Sequence, residues 1–255
     1  MRLPVPRKDG IVTRRVGLNS GGSTVLVEPH RVHKGVFICN GQSDQLHTVG
    51  KPEQNDLSHI VQYRDGSMVS YRLWSSSGSD LAAVLAKTGR TTHIKPRACV
   101  LYLGADYRTT SHVSDIVGPY GMVYAVAPSS SLDPSYLARK CHNVEWIFED
   151  PMKPETYRER ITVDVSVLLS EVHGPDQVKM MYMNASYFMK AGGRFVVSVK
   201  GDFRELDFPF TIAMDVIDDE YDELVDKQFE PSWDVKLAED HVYFVGAYLG
   251  IRTCF

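Results

Sequence analysis

Cysteine is scarce in this chain and never paired. Its four cysteines, Cys39, Cys99, Cys141 and Cys254, are scattered along 255 residues with no CxxC spacing. That pattern excludes a disulfide framework and a thiolate zinc site, and it reads as buried thiols of an intracellular protein. No apolar run approaches the roughly 18 residues of a bilayer span, so no membrane helix is expected. Internal repeats, low-complexity tracts, a phosphate-cradling P-loop, a Ser-His-Asp pattern and metal-ligand spacing are also lacking. His30 and His33 in "PHRVH" read as structural side chains, not as metal ligands. Neither sign of charge dominates: 28 Lys+Arg stand against 32 Asp+Glu, a net charge of −4. That balance argues against an extended nucleic-acid footprint over the whole surface.

Charge is unevenly spread, however. Residues 1–36 hold seven Lys/Arg against Asp9 and Glu28, whereas Met214 to Asp226 hold seven acids and no base. The basic arm is suited to phosphate and the acidic segment to a basic protein surface. Five basic residues among the first fifteen also admit a short organelle-targeting peptide, with a mitochondrial address as the alternative compartment.

Three regions follow from pattern. Residues 1–23, ending in "LNSGGST", read as a flexible basic leader. Residues 24–78 carry short β-rich runs ("STVLVEP", "GVFICNG", "HIVQYRDG", "SMVSYRLW") separated by Gly, Asn and Asp, a small antiparallel β domain. Residues 79–255 open with a helix in "SDLAAVLAKTG" and then alternate strand and helix. Strands are expected at 99–104, 121–127, 144–150, 163–169, 193–201 and 241–249. Helices are expected at 109–117, 132–140, 154–160, 176–190 and 209–226, and the segment "FEPSWDVKLAED" as a loop before an antiparallel last strand. This rhythm predicts an α/β fold, a mostly parallel sheet with helices on both faces. Such sheets bind ligands at the carboxyl ends of their strands.

The first of those ends, "VLYLGADYRTTSHVSDIVG", leads the chain to a resemblance. Together with "VEPHRVHKGVFICNG", "YRLWS", "LAAVLA", "HIKP", "GPDQ", "NASYFMKAGGRFVVSVK" and "EDHVYFVGAY", it resembles the fibrillarin family, in the family's order, from Val25 to Tyr248. The resemblance implies a Rossmann-like S-adenosylmethionine methyltransferase sheet preceded by a small β domain, RNA 2′-O-methylation as activity, and a nucleolar or nuclear setting. It also implies a Nop56/Nop58-type scaffold protein as partner, with RNA met through that partner and the basic N-terminal region.

The residues that the family would use are partly replaced. At the first turn the cofactor positions are Gly104, Ala105, Thr109 and Thr110, but Asp106, Tyr107 and Arg108 stand where small residues would admit the cofactor. The second strand ends at Ala127, where the family has an acid for the ribose hydroxyls. Loss of such an acceptor costs about 1.5–3 kcal/mol. Asp150 keeps the position that reads the adenine amino group, although an acid there is also an ordinary cap. Of the catalytic positions, Asp80 stands at the first lysine and Glu171 at the aspartate, while Lys200 and His241 are kept. In plain structural terms, Lys200 pairs with Asp80 or Glu171, and His241 is a packed, hydrogen-bonded histidine. The altered positions lie at the cofactor and substrate ends, while scaffold segments such as "GVFIC" and "AGGRFVV" keep their pattern. The expectation is therefore a pseudomethyltransferase serving as a structural part of an RNA-processing or ribosome-biogenesis particle. The alternative is an active, divergent RNA 2′-O-methyltransferase working through Lys200, Glu171 and His241.

Overall fold

In a computed structural model, the described residues are 15–51, 58–128, 141–174, 176–200, 219, 221–238 and 241–250. The first strands alternate buried and exposed side chains and curl into a closed barrel. They are β1 (Arg15–Leu18), β2 (Thr24–Pro29), β3 (Val36–Cys39), β4 (Gln45–Val49), β5 (Ser58–Gln62) and β6 (Met68–Ser75), in the order β1-β2-β3-β4-β6-β5. Val25, Val27, Cys39, Val61, Tyr63, Val69 and Tyr71 fill the interior, where the two phenols meet at 2.7 Å. The barrel closes where Leu18 pairs with Gln62. A side chain at Gly17 would overlap Val61 and the Gln62 carbonyl, so glycine lets the two backbones approach. Strand β1 lies inside the segment expected as a flexible leader, which corrects that expectation for Arg15–Leu18.

Helix α1 (Asp80–Lys87) starts at Ser79, whose hydroxyl accepts from the Ala82 N–H, and presents Leu81, Ala82, Val84 and Leu85 inward. A second, seven-stranded sheet follows. Its parallel strands are β7 (Cys99–Leu103), β8 (Met122–Val126), β9 (Val144–Ile147), β10 (Val165–Ser170) and β11 (Met189–Lys200). Two antiparallel strands complete one edge, β12 (Phe229–Ala238) and β13 (His241–Tyr248), giving the order β12-β13-β11-β10-β7-β8-β9. The apolar β7, β8 and β10 are buried on both faces, as parallel strands must be.

Helices α2 (Tyr107–Val117) and α3 (Gln177–Phe188) cover the sheet. One core cluster holds Leu103, Val126, Leu168, Met181 and Phe195; the other holds Leu85, Val100, Val113 and Val196. The second cluster also takes in Val36, Leu46 and Trp74, so the barrel and the sheet share a core. Trp74 stacks on His112 of α2 at 5.0 Å. Beside it Arg72 pairs with Asp115 at 2.7 Å, and Thr48 donates to the same carboxylate at 2.7 Å. Burial and the neighbouring Arg72 hold His112 well below the usual histidine range.

Several expectations are corrected. The "FEPSWDVKLAED" segment is an edge strand, β12, not a loop. Pro231 and the charges Glu230, Asp234 and Lys236 hid it, yet alternate residues of an edge strand face solvent and Pro231 sits at a register shift. The segment Pro154–Arg160 is 3-10, with Tyr157 out of helical geometry and its ring buried against Phe188. Of the expected helix 209–226, residues 219 and 221–226 are described and helical; the expected helix 132–140 lies outside the described residues.

Candidate active site

The carboxyl ends of β7, β8, β10 and β11 gather most of the residues singled out in the sequence. At the end of β7 the chain turns at Gly104, with φ +73. A Cβ there would stand 2.6 Å from Val172 Cγ2 and 3.1 Å from the Glu171 carbonyl carbon, so the turn requires glycine on both counts. The N–H groups of Gly104 and Ala105 both donate to the Val126 carbonyl, at 3.0 and 3.1 Å. Asp106 is the N-cap of α2: Oδ1 accepts from the Thr109 N–H at 2.9 Å. Its other oxygen accepts from the Tyr102 phenol at 2.9 Å. Thr109 Oγ1 lies 3.1 Å from the Ser79 hydroxyl, and the Thr110 hydroxyl is buried with no partner among the described residues. The backbone donors and helix start that would cradle an anion or nucleotide are thus engaged by the protein itself.

Ala127 is buried and its N–H donates to the Ile147 carbonyl, which extends the sheet ladder. Asp150 is exposed; it accepts from the Met152 N–H at 2.9 Å and lies 3.8 Å from Lys153 Nζ, the arrangement of a turn cap.

The fourth strand end holds Glu171. Tyr102 from β7 and Tyr243 from β13 both hydrogen-bond its carboxyl group. Burial pushes Glu171 up to about 7; the charges of Asp106 and Asp80 add to the rise while the two phenols oppose it. Both phenols are held well above the usual tyrosine range, first by burial and then by the Glu171 charge. Asp80, the first residue of α1, lies 3.9 Å from His241 Nε2. His241 is buried, and its Nε2 is 2.8 Å from Ser198 Oγ, which is in turn 3.0 Å from His173 Nε2. Lys200 stands opposite His241 in the β11–β13 register, which puts both side chains on one face. Among the described residues Lys200 forms no ion pair with Asp80 or Glu171.

Asp80, Glu171, Lys200 and His241 therefore converge at one end of the sheet, whereas Asp150 belongs to a separate surface turn. Sequence reasoning missed Tyr102, Tyr243, Ser198 and His173. The β-strand alternation carried a signal for two of them, because Ser198 and Tyr243 share a face with Lys200 and His241 by period two.

The chain matches the fibrillarin family model over residues 27–250. It is 43% identical over 238 residues to rRNA 2′-O-methyltransferase fibrillarin 2 of Arabidopsis thaliana, covering 89% of this chain and 73% of the relative. It is 38% identical over 237 residues to the fibrillarin of Rattus norvegicus, covering 89% and 71%. Among solved structures, fibrillarin of Aeropyrum pernix with natively bound S-adenosyl-L-methionine superposes with a TM-score of 0.72 at 26% identity, covering 86% and 97%. A fibrillarin/Nop5p complex gives a TM-score of 0.64 at 27% identity, covering 85% and 98%. With a barrel, a methyltransferase-type sheet and a family-model match over residues 27–250, this chain belongs to the fibrillarin family.

Proposed function

We propose that this chain is a pseudomethyltransferase, a structural component of an RNA-processing or ribosome-biogenesis ribonucleoprotein that docks a Nop56/Nop58-type scaffold. The observation that carries the reading is the turn between β7 and α2. S-adenosylmethionine needs free backbone donors there and an acceptor for its ribose hydroxyls at the end of β8. Here the donors of Gly104 and Ala105 go to Val126, Asp106 caps its own helix, and the β8 end is the buried methyl of Ala127. As the turn stands, the residues present do not fit that cofactor. At the neighbouring strand end, Asp80 and Asp106 make the place where an RNA phosphate and ribose would approach more negative.

The cofactor in the Aeropyrum relative and the partner in the fibrillarin/Nop5p complex support the family setting, and the rRNA methyltransferase relatives support RNA as the substrate class. The family carries a nucleolar or nuclear location, and the matched relatives lend no support to the mitochondrial alternative. The second reading, an active rRNA 2′-O-methyltransferase, is favoured by Lys200 and His241 sharing one face beside Glu171. Ribose-methylation mapping in cells carrying either wild-type or Lys200→Ala chain decides between them. The structural reading predicts identical maps; the catalytic reading predicts that defined sites disappear.

A further inference from the structure

The opposite end of the sheet, where the parallel strands begin, carries a patch that the methyltransferase reading does not use. The turn 93–97 leads into β7 there, and it is pinned by the Arg97 N–H donating to the Val117 carbonyl at 2.8 Å and the Ala98 N–H to Lys95 at 3.0 Å. Lys95 and Arg97 are exposed. Arg194 joins them from β11, level with Val167 of β10, which is itself level with Val100 near the start of β7. His93 lies close enough to Arg194 and Lys95 that their charges, after burial, hold its imidazole below the usual range. None of Lys95, Arg97 and Arg194 forms an ion pair among the described residues, and the neighbouring acids are already taken. Asp164 pairs with Lys190, and Glu145 with Arg160 at 2.9 Å. Tyr120, in the 3-10 turn Gly118–Tyr120, is 81% exposed, and the Arg97 guanidinium lies 5.7 Å from its ring centre.

Unpaired cations beside an exposed ring are the combination that binds single strands: cations track phosphate and the ring offers a face to a base. An acidic peptide would satisfy the cations but leave Tyr120 without a matching plane. An anionic membrane would need more apolar area than one ring supplies. We propose that Lys95, Arg97, Arg194 and Tyr120 form a single-stranded RNA-binding surface at the amino-terminal edge of the sheet, remote from the cofactor-type turn. The surface is independent of the cofactor reading, because every residue in it lies at the other end of the strands.

Fluorescence anisotropy of a labelled oligouridylate, titrated with the full chain at several salt concentrations and without cofactor, tests this. The combined Lys95→Glu, Arg97→Glu and Arg194→Glu variant is expected to lose at least about ten-fold in affinity. Its dependence of log affinity on log salt flattens by roughly 2, at about 0.7 per lost phosphate contact. Tyr120→Ala loses about five-fold or more, with the salt dependence unchanged. The single variants Lys95→Glu and Tyr120→Ala, both at exposed positions, carry the test if the combined variant fails to fold. Wild-type chain that does not bind the oligonucleotide, or variants that bind it as wild type does, would overturn the proposal. So would a response confined to an acidic peptide or to phosphatidylserine vesicles offered in place of the RNA.

Discussion

The phenol of Tyr102 donates to Asp106 across 2.9 Å while also meeting the carboxyl group of Glu171. One phenolic proton cannot serve two carboxylates. The arrangement is complete when Glu171 is itself protonated and donates to the phenol oxygen, which agrees with burial pushing Glu171 up to about 7. Tyr102 thereby ties the first turn of the sheet to its fourth strand end, and Tyr243 fastens that end from the other side. Tyr102, Asp106, Glu171 and Tyr243 thus form one hydrogen-bonded cluster that joins two strand ends.

This cluster makes stability depend on pH in a definite direction. Glu171 has a folded value of about 7 against an ordinary 4.5, so its contribution is full below about 4.5 and is lost as pH rises through 7. A shift of that size is worth on the order of 3 kcal/mol. Urea unfolding at pH 5 and at pH 8 is expected to show Glu171→Gln gaining stability relative to wild type between the two. Parallel pH profiles for wild type and variant would contradict the assignment.

The acid side has the opposite slope. Burial holds His33 and His47 down to about 4, below the ordinary 6.5. Their contribution is present above 6.5 and disappears as pH falls through 4, because unfolding releases histidines that take up protons. With Glu171 acting from the other side, the maximum of stability is expected near neutral pH. A His33→Leu variant should flatten the acid limb and leave the alkaline limb in place, as read from thermal midpoints across pH.

The seam between barrel and sheet is a further point of dependence. Arg72 is almost wholly buried, pairs with Asp115 at 2.7 Å and reaches the Ser111 hydroxyl at 3.0 Å. Arg72→Ala leaves the Asp115 carboxylate without its cation and is expected to cost about 3–5 kcal/mol. Chemical denaturation measures it; a loss below about 1 kcal/mol would mean that the shared apolar core of Val36, Leu46 and Trp74 holds the barrel without the ion pair.

Restoring the acid at the β8 end is not expected to restore a cofactor site. Ala127 is buried and its N–H extends the β8–β9 ladder, so Ala127→Glu places a charge at a position closed to solvent. The expected result is destabilisation by about 3 kcal/mol or more with no gain in cofactor affinity, measured by unfolding and by titration of the folded variant. Micromolar cofactor binding by this variant would show that a single substitution separates it from its relatives.

Much of the architecture was legible because strand and helix periods differ. The apolar runs at β7, β8 and β10 and the capped start of α1 are local signals, and the changes at Asp80, Ala127 and Asp106 were visible as departures from a resembled pattern. The edge strand β12 was not legible, since Pro231 and alternating charges read as a loop when no partner strand is known. Nor were the phenols that tie the turn to Glu171. Tyr102 precedes Asp106 by four residues but meets Glu171 across 69, and Tyr243 meets it across 72. Pattern along the chain gives the face on which such side chains lie; only the fold brings together residues so far apart in sequence.

The most direct measurement is isothermal titration calorimetry of the folded 255-residue chain with S-adenosylmethionine and with its demethylated product. A turn closed by Asp106, Tyr102 and the Val126 carbonyl predicts no heat of binding up to millimolar cofactor. Binding at low micromolar affinity would contradict that account and return Lys200, Glu171 and His241 to the role of a working methyltransferase site.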